Sequence, residues 1–373
     1  MSKKVLLATR PLTPPWDEAS KNFAYFLGTQ INSHSLTLLT TSTALSELTA
    51  SAIQKPIFFS GNFHTQAKWK LFSYLYKARS LFDITHYLFT PTPWNTTLIK
   101  YFAKPTRGKT IQTIATLRDD LYTPQTLRRM LFADQLITYT DATKQKIQRL
   151  GHTNVTRIYP GIDLKRYCPQ PKNAALLHQF GFTQEHFLVI YPGEYARLGA
   201  TDMLTDVFIT FFQQNPTTNI RLVFACRIKN SQDALKKEEV MRRCKQAGVL
   251  KYIAFADTIQ DMPALYNTSD VILFPVDNLH GKFDVPLVII EAYACGKPVI
   301  LSDLPQFQEF SNEKICVTIP KGSPSKLIES VAYLRDNKAH CEALGYEARL
   351  FVEQHFDLKN TARQYSQVYD ALA

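Results

Sequence analysis

The feature that most constrains this chain is a change of period repeated along its length. Short runs of β-branched and apolar residues alternate with longer stretches spaced like helices, in two successive series. In the first series the strand candidates are residues 5–9, 35–39, 56–59, 84–89, 110–115, 135–139 and 155–159. Helical patterns lie between most of them, such as 141–150, which opens on Asp141 and stops at Gly151. In the second series the strands fall at 187–191, 220–226, 252–255, 271–274, 298–301 and 315–319, separated by helices such as 201–212 and 235–246. Such alternation builds parallel sheets with helices on both faces. The expected class is therefore α/β, with two doubly wound Rossmann-like domains facing across a cleft. A length of 373 residues agrees, at roughly 100–200 residues per domain. The break falls at 160–171, where Pro and Gly density excludes a regular element. The expected divisions are 1–160, a linker at 161–171, a second domain at 172–355, and a final helix at 356–373 free to pack back toward the first domain.

With 45% hydrophobic and 20% charged residues the chain can bury full cores, which excludes wholesale disorder. The longest apolar runs, such as 285–290, stop far short of the ~18 residues that span a bilayer. The start, Met1-Ser-Lys-Lys-Val-Leu-Leu-Ala, has too short an apolar stretch for a secretory signal. Six cysteines show neither C-x-x-C pairing nor zinc-finger spacing, so neither a disulfide framework nor a structural metal is expected. The expected location is the cytoplasm, with peripheral membrane attachment open. The net charge of +11 is lopsided: residues 1–157 hold 20 Lys and Arg against 8 Asp and Glu, and the remainder 23 against 24. The first half therefore suits an anionic partner: nucleic acid, membrane surface or phosphorylated substrate. The segment 68–79 mixes bases with aromatics, yet its lysines divide between opposite helix sides, so a core-packing helix is favoured over a membrane-surface one. No zinc module, RNP-type motif or basic helix supports nucleic-acid binding.

Ligands of open parallel sheets bind at the carboxyl ends of the strands, so the strand-exit loops hold the candidates. Tyr191-Pro-Gly193-Glu-Tyr-Ala-Arg197-Leu-Gly199 follows a strand and precedes a helix. Backbone N–H groups there, beginning at Gly193, and the Arg197 cation suit phosphate oxygens; a plain tight turn explains the glycines as well. Arg227 and Lys229 end the next strand and suit a diphosphate. The helix after Pro286 is almost wholly apolar but carries Glu291. A buried carboxylate needs partners, and ribose hydroxyls or an internal Arg or Lys both qualify.

Three motifs resemble those of the retaining glycosyltransferases of family four, which have the GT-B fold. Val155-Thr-Arg-Ile-Tyr-Pro160-Gly161-Ile-Asp163-Leu-Lys-Arg166-Tyr-Cys-Pro169 resembles that family's V-I-x-N-G-V-D-x-x-x-F-x-P linker. Asp261-Met-Pro263-Ala-Leu-Tyr266-Asn-Thr-Ser-Asp270-Val-Ile-Leu-Phe274-Pro275 resembles its "lpelYa.aDvfv.PS" segment. Glu291-Ala-Tyr-Ala-Cys-Gly296-Lys-Pro298-Val-Ile resembles the second half of its E-x7-E motif. The likeness covers 155–373 well. In the first half it is carried mainly by pattern and by Pro14-Pro15-Trp16-Asp17-Glu18-Ala-Ser-Lys-Asn22, placed like the family's acceptor-side loop.

The resemblance implies transfer of a glycosyl unit from a nucleotide diphosphate sugar, GDP- or UDP-linked by preference, to an acceptor hydroxyl with retention of configuration. The second domain would hold the donor, with no bound cofactor and no metal, since no D-x-D motif is present. Glu291 would hold the ribose, and Gly193, Arg197, Arg227, Lys229 and the Leu287 amide the diphosphate. Trp16, Asp17 and Glu18 would face an acceptor, expected to be an anionic or lipid-linked glycan. Where the family's first glutamate belongs, eight residues before Glu291, stands Phe283; Asp284 would contact the sugar in its place or cap the helix. The family's phosphate-binding glycine is replaced by Pro286, which has no N–H. The family's frequent histidine is replaced by Ala115, leaving Asp119 and Asp120 as catalytic candidates or solvated loop residues. The competing reading is a non-catalytic sugar-nucleotide binder or a subunit of a glycan-assembly complex; an epimerase lacks its acid/base residues at recognisable spacing.

Overall fold

The alternation resolves into two fully parallel sheets, seen in a computed structural model that describes residues 2–14, 16, 19–257 and 259–372. The first holds β1 (Lys4–Leu12), β2 (Ser35–Thr40), β3 (Ala52–Pro56), β4 (Ile84–Tyr87), β5 (Lys109–Ile114), β6 (Gln135–Thr138) and β7 (Val155–Arg157), in the order β3-β2-β1-β4-β5-β6-β7. The second holds β8 (Phe187–Tyr191), β9 (Ile220–Ala225), β10 (Ile253–Ala256), β11 (Val271–Phe274), β12 (Val299–Ser302) and β13 (Cys316–Ile319), in the order β10-β9-β8-β11-β12-β13. In each, the strand order reverses beside the first strand, at β1/β4 and at β8/β11. Those reversals open crevices at the carboxyl edges, where open α/β sheets take ligands.

A parallel sheet covered on both faces needs strands apolar on both faces, and β1 shows it. Val5 and Leu7 join one buried cluster with Leu36, Leu38, Ile84 and Ile111, while Leu6 and Ala8 join another with Leu39 and Tyr87. At the sheet edge this requirement lapses. The expected strand at 56–59 is absent, and β3 runs instead through Ala-Ile-Gln-Lys-Pro56, only partly covered. Pro56 has no N–H to give the ladder and stands at the strand's last position, and Phe59 beyond it lies in the open with the Lys70 ammonium over its ring. The segment 68–79 is a helix, Thr65–Lys77, that buries Leu71 and Leu75.

The first compact unit comprises residues 1–161, 283–285 and 356–373, and the second 162–282 and 286–355. The terminal helix Leu358–Ala371 is part of the first unit's core, where Tyr365 and Tyr369 are fully buried. Its seat explains Pro160-Gly161. A Cβ on Gly161 would collide with the Leu358 backbone and the Thr361 side chain, whose hydroxyl donates to the Tyr159 carbonyl at 3.1 Å. Phe356 stacks on Tyr159, centroids 4.6 Å apart. Inside, the fully buried His86 on β4 bonds the Tyr369 hydroxyl through Nδ1 (2.8 Å) and the Thr113 hydroxyl through Nε2 (2.7 Å). The six cysteines are free thiols. Among the described residues no helix is long and apolar enough to cross a membrane, and no three His, Cys, Asp or Glu side chains gather as metal ligands.

Candidate functional site

The turn leaving β8 is built on two glycines with separate reasons. Gly193 lies against the ring of Tyr191, which leaves no room for a Cβ. Gly199 has a φ of 82°, in the left-handed region that suits glycine, and its open face is filled by Asp277. Between them sits Glu194, 4% exposed and surrounded by cations. Arg197 grips it with both arms of its guanidinium, Nε to Oε2 at 2.6 Å and Nη2 to Oε1 at 2.7 Å. Lys229, from the loop after β9, reaches Oε1 at 2.5 Å, and Lys282, from the loop after β11, reaches the same oxygen at 2.6 Å. Burial alone would push the Glu194 carboxyl up, but Arg197, Lys282 and Lys229 together hold it well below the usual carboxylate range. One negative charge thus organises three positive ones at the sheet's carboxyl edge. The buried Asp233 ties the loops together, accepting from the Ala196 N–H at 3.3 Å and the Lys229 N–H at 3.2 Å.

Of the four residues expected at a phosphate here, the structure gathers Gly193, Arg197 and Lys229 around Glu194, and leaves Arg227 half-buried on the strand exit. Glu194 and Lys282 were not singled out from the sequence. The available signal was that a lone acid inside a basic, glycine-bounded turn needs cations brought from elsewhere.

Helix Leu287–Ala294 begins at Pro286, whose missing N–H is harmless at a helix start, and ends at Gly296 with φ 68°. Leu287 is its first residue and half-buried. One turn later Glu291 receives the Tyr266 hydroxyl at 2.9 Å and a second hydrogen bond from Tyr167. Burial pushes the carboxyl up to about 7, against the lowering pull of both tyrosines and Arg166. Its hydrogen-bond partners are phenols rather than the internal Arg or Lys considered from sequence. Tyr167 comes from the linker, which Arg349 holds down by donating to the Tyr167 carbonyl at 2.7 Å and the Ala294 carbonyl at 2.6 Å.

The three residues 283–285 belong to the first unit although their chain neighbours belong to the second. The Asp284 N–H donates to the Ala115 carbonyl at 2.9 Å, and its carboxylate accepts from the Thr143 hydroxyl at 2.6 Å. Burial pushes it up to about 7, opposed by Thr143, the Leu117 backbone and Lys146, and helped by Asp119. Asp284 therefore does not cap the following helix, whose cap position is Pro286. Asp119 pairs with Lys146 at 2.6 Å and Asp120 with Arg118 at 2.8 Å. Trp16 stacks on Tyr25, centroids 4.4 Å apart, and packs on the core. Asp17 and Glu18 lie outside the described residues.

Set beside known proteins, residues 186–337 match the family described as glycosyl transferases group 1. A D-inositol 3-phosphate glycosyltransferase of Streptomyces bingchenggensis is 27% identical over 178 residues, 46% of this chain and 38% of that protein. The O-antigen biosynthesis glycosyltransferase WclY of Escherichia coli is 24% identical over 242 residues, 65% of this chain and 63% of that one. The chain thus matches less than two thirds of the length of these relatives. Among solved structures, Anabaena HepE in complex with UDP-glucose superposes with a TM-score of 0.77 at 15% identity, over 99% of this chain and all of that one. WaaG, a glycosyltransferase involved in lipopolysaccharide biosynthesis, superposes with a TM-score of 0.68 at 13% identity, over 98% and 99%.

Proposed function

We propose, from the premise that this chain is a family-four-like protein of the GT-B glycosyltransferase fold, that it moves a sugar from a nucleotide diphosphate sugar to an acceptor hydroxyl with retention of configuration, in glycan or glycolipid synthesis. The carrying observation is the Glu194 cluster, which fixes Arg197, Lys229 and Lys282 at the carboxyl edge of β8, β9 and β11. In the transfer, the bond from the anomeric carbon to the diphosphate oxygen breaks and a bond to the acceptor oxygen forms. The acceptor's proton leaves with the diphosphate. The charge that develops is on the departing nucleoside diphosphate, and cations held in place before the reaction stabilise it without reorganising.

In this reading Gly193, Arg197, Arg227, Lys229 and the Leu287 amide receive the diphosphate, and Lys282 joins them. Glu291 takes the ribose hydroxyls, its tyrosines keeping the carboxylate aimed. Asp284 contacts the transferred sugar, while Asp119 acts on Asp284 through its charge and Asp120 is held by Arg118. The donor is UDP- or GDP-linked, and the binding of UDP-glucose by HepE favours UDP. The acceptor is an anionic or lipid-linked glycan, approached at the side where residues 1–157 carry their excess of positive charge, on the cytoplasmic face of a membrane. Incubating the protein with GDP-, UDP-, ADP- and CMP-sugars tests it: acceptor-dependent release of nucleoside diphosphate from one donor is expected, and silence across the panel with a range of acceptors overturns it. Phe283, in place of a carboxylate, favours a second reading, a binder that does not turn over. Donor binding that Glu291→Ala weakens, with no release by the unaltered protein, would select that one.

A further inference from the structure

At the other strand-order reversal, β1/β4, the first unit contains a cavity of about 490 Å³ that the proposed donor chemistry does not use. It opens over the carboxyl ends of the strands, reaching Arg10 on β1, Leu88 and Phe89 after β4, Ala115 after β5 and Tyr139 after β6. This is the place and the size of a ligand pocket. Helix Thr65–Lys77 supplies one wall through Leu71, Phe72 and Leu75, and helix Pro93–Leu98 another. Phe283 closes the side next to Asp284, its ring edge-on to Tyr139 with centroids 5.7 Å apart.

Two properties of the lining identify what it takes. Most of the described lining is aliphatic or aromatic, and two of its polar side chains already have partners. The Thr113 hydroxyl is bonded to His86 at 2.7 Å and to Tyr365 at 3.2 Å, and the Asn95 oxygen accepts from the Thr92 N–H at 2.8 Å. A polyol entering here would find few partners for its hydroxyls against so apolar a wall, whereas an apolar group gains burial. Among the described lining residues, moreover, the charged ones are Arg10 and Lys68, both cations. Arg10 lies over the Phe63 ring at 5.5 Å, and Lys68 is exposed on its helix.

We infer that this cavity binds the apolar chain of an anionic amphiphile, with Arg10 and Lys68 on its phosphate or carboxylate, and that the acceptor of the proposed transfer is of this class. Phe283 is then explained: in place of a carboxylate it gives the chain a wall. The binding site stands on the cavity alone; its role as acceptor seat rests on the transferase reading.

Titration calorimetry on the full chain tests it with n-dodecyl phosphate below its micelle concentration. Saturable one-to-one binding is expected, at least tenfold weaker for dodecyltrimethylammonium and undetectable for inorganic phosphate at the same concentration. Lys68→Glu, on an exposed position, weakens dodecyl phosphate at least tenfold, and Ala115→Trp, which fills the floor, abolishes it. Both variants bind UDP as the parent does; if Ala115→Trp does not fold, Lys68→Glu decides. Absence of dodecyl phosphate binding in protein that binds UDP overturns the cavity assignment and leaves the transferase reading standing. Equal binding of the cationic amphiphile, or indifference to Lys68→Glu, also overturns it. Dodecyl phosphate binding without turnover of any sugar donor overturns the acceptor role and the transferase reading together, while the apolar site stands.

Discussion

Glu194 and Asp284 are both withdrawn from water, yet their surroundings push them in opposite directions, and stability should record both. Glu194 is held below its ordinary 4.5 by three cations despite its burial. Its contribution is fully present above that value and is lost as pH falls through the lower folded value. Glu194→Gln keeps the shape, removes the charge and leaves Arg197, Lys229 and Lys282 repelling one another. Because these cations reach solvent, the cost at pH 7 is about 2 kcal/mol rather than that of a wholly buried pair. In urea unfolding this deficit shrinks below pH 4.5. Asp284 runs the other way. Its folded value near 7 lies above the ordinary 3.8, so its contribution is full below 3.8 and is lost as pH rises toward 7. Asp284→Asn, whose oxygen still accepts from Thr143, should flatten the fall in stability between those values. It should also remove any inflection near pH 7 from the rate of nucleotide release while leaving the donor's KM within about twofold.

At the level of elements, the terminal helix is a load the first unit cannot shed. Tyr369→Phe deletes the hydroxyl that His86 Nδ1 meets and is expected to cost about 1 kcal/mol by urea midpoint. Ending the chain at residue 355 removes both buried tyrosines. Amide exchange should then quicken in β1, β4 and β5 and stay slow in β8, β9 and β11, because the removed segment belongs to the first unit alone. The helix itself was readable, since its amphipathic spacing and Asp357 start give its limits. So were the interior strands: β8 and β11 have the same ends in the sequence reading and in the structure, because strands covered on both faces must be apolar throughout. The edge strand β3 was not, since a half-covered strand needs no such run, and of the conspicuous 56–59 run only Pro56 belongs to the strand. The site divided likewise. Gly193, Arg197 and Lys229 lie in strand-exit loops and Glu291 one turn into a helix, where position follows from chain order. Lys282, Tyr167 and Thr143 reach their carboxylates from segments 88, 124 and 141 residues away in sequence, and no local pattern marks such encounters.

For the whole molecule, the distribution of charge sets a prediction that no single site does. Residues 1–157 carry a net +12 and the remainder −1, so the long-range field of this protein belongs to one part of it. The same part exposes Phe59, Trp69, Trp94, Tyr101 and Phe102, large rings of the kind that settle at a headgroup boundary beside lysines. Lys77, Lys100 and Lys104 are exposed too. Near an anionic surface each lysine contributes about 1 kcal/mol, so losing three costs about 3 kcal/mol, roughly a hundredfold in affinity. Sedimentation with phosphatidylglycerol vesicles should therefore capture the full chain at 50 mM salt and release it by 300 mM, as screening shortens the field's reach. Zwitterionic vesicles should capture little at either concentration. The triple change Lys77→Glu, Lys100→Glu and Lys104→Glu should abolish capture while leaving nucleotide binding by the second unit intact. Capture that persists in the triple variant, or that ignores salt, would mean the rings and not the charge hold the protein to lipid.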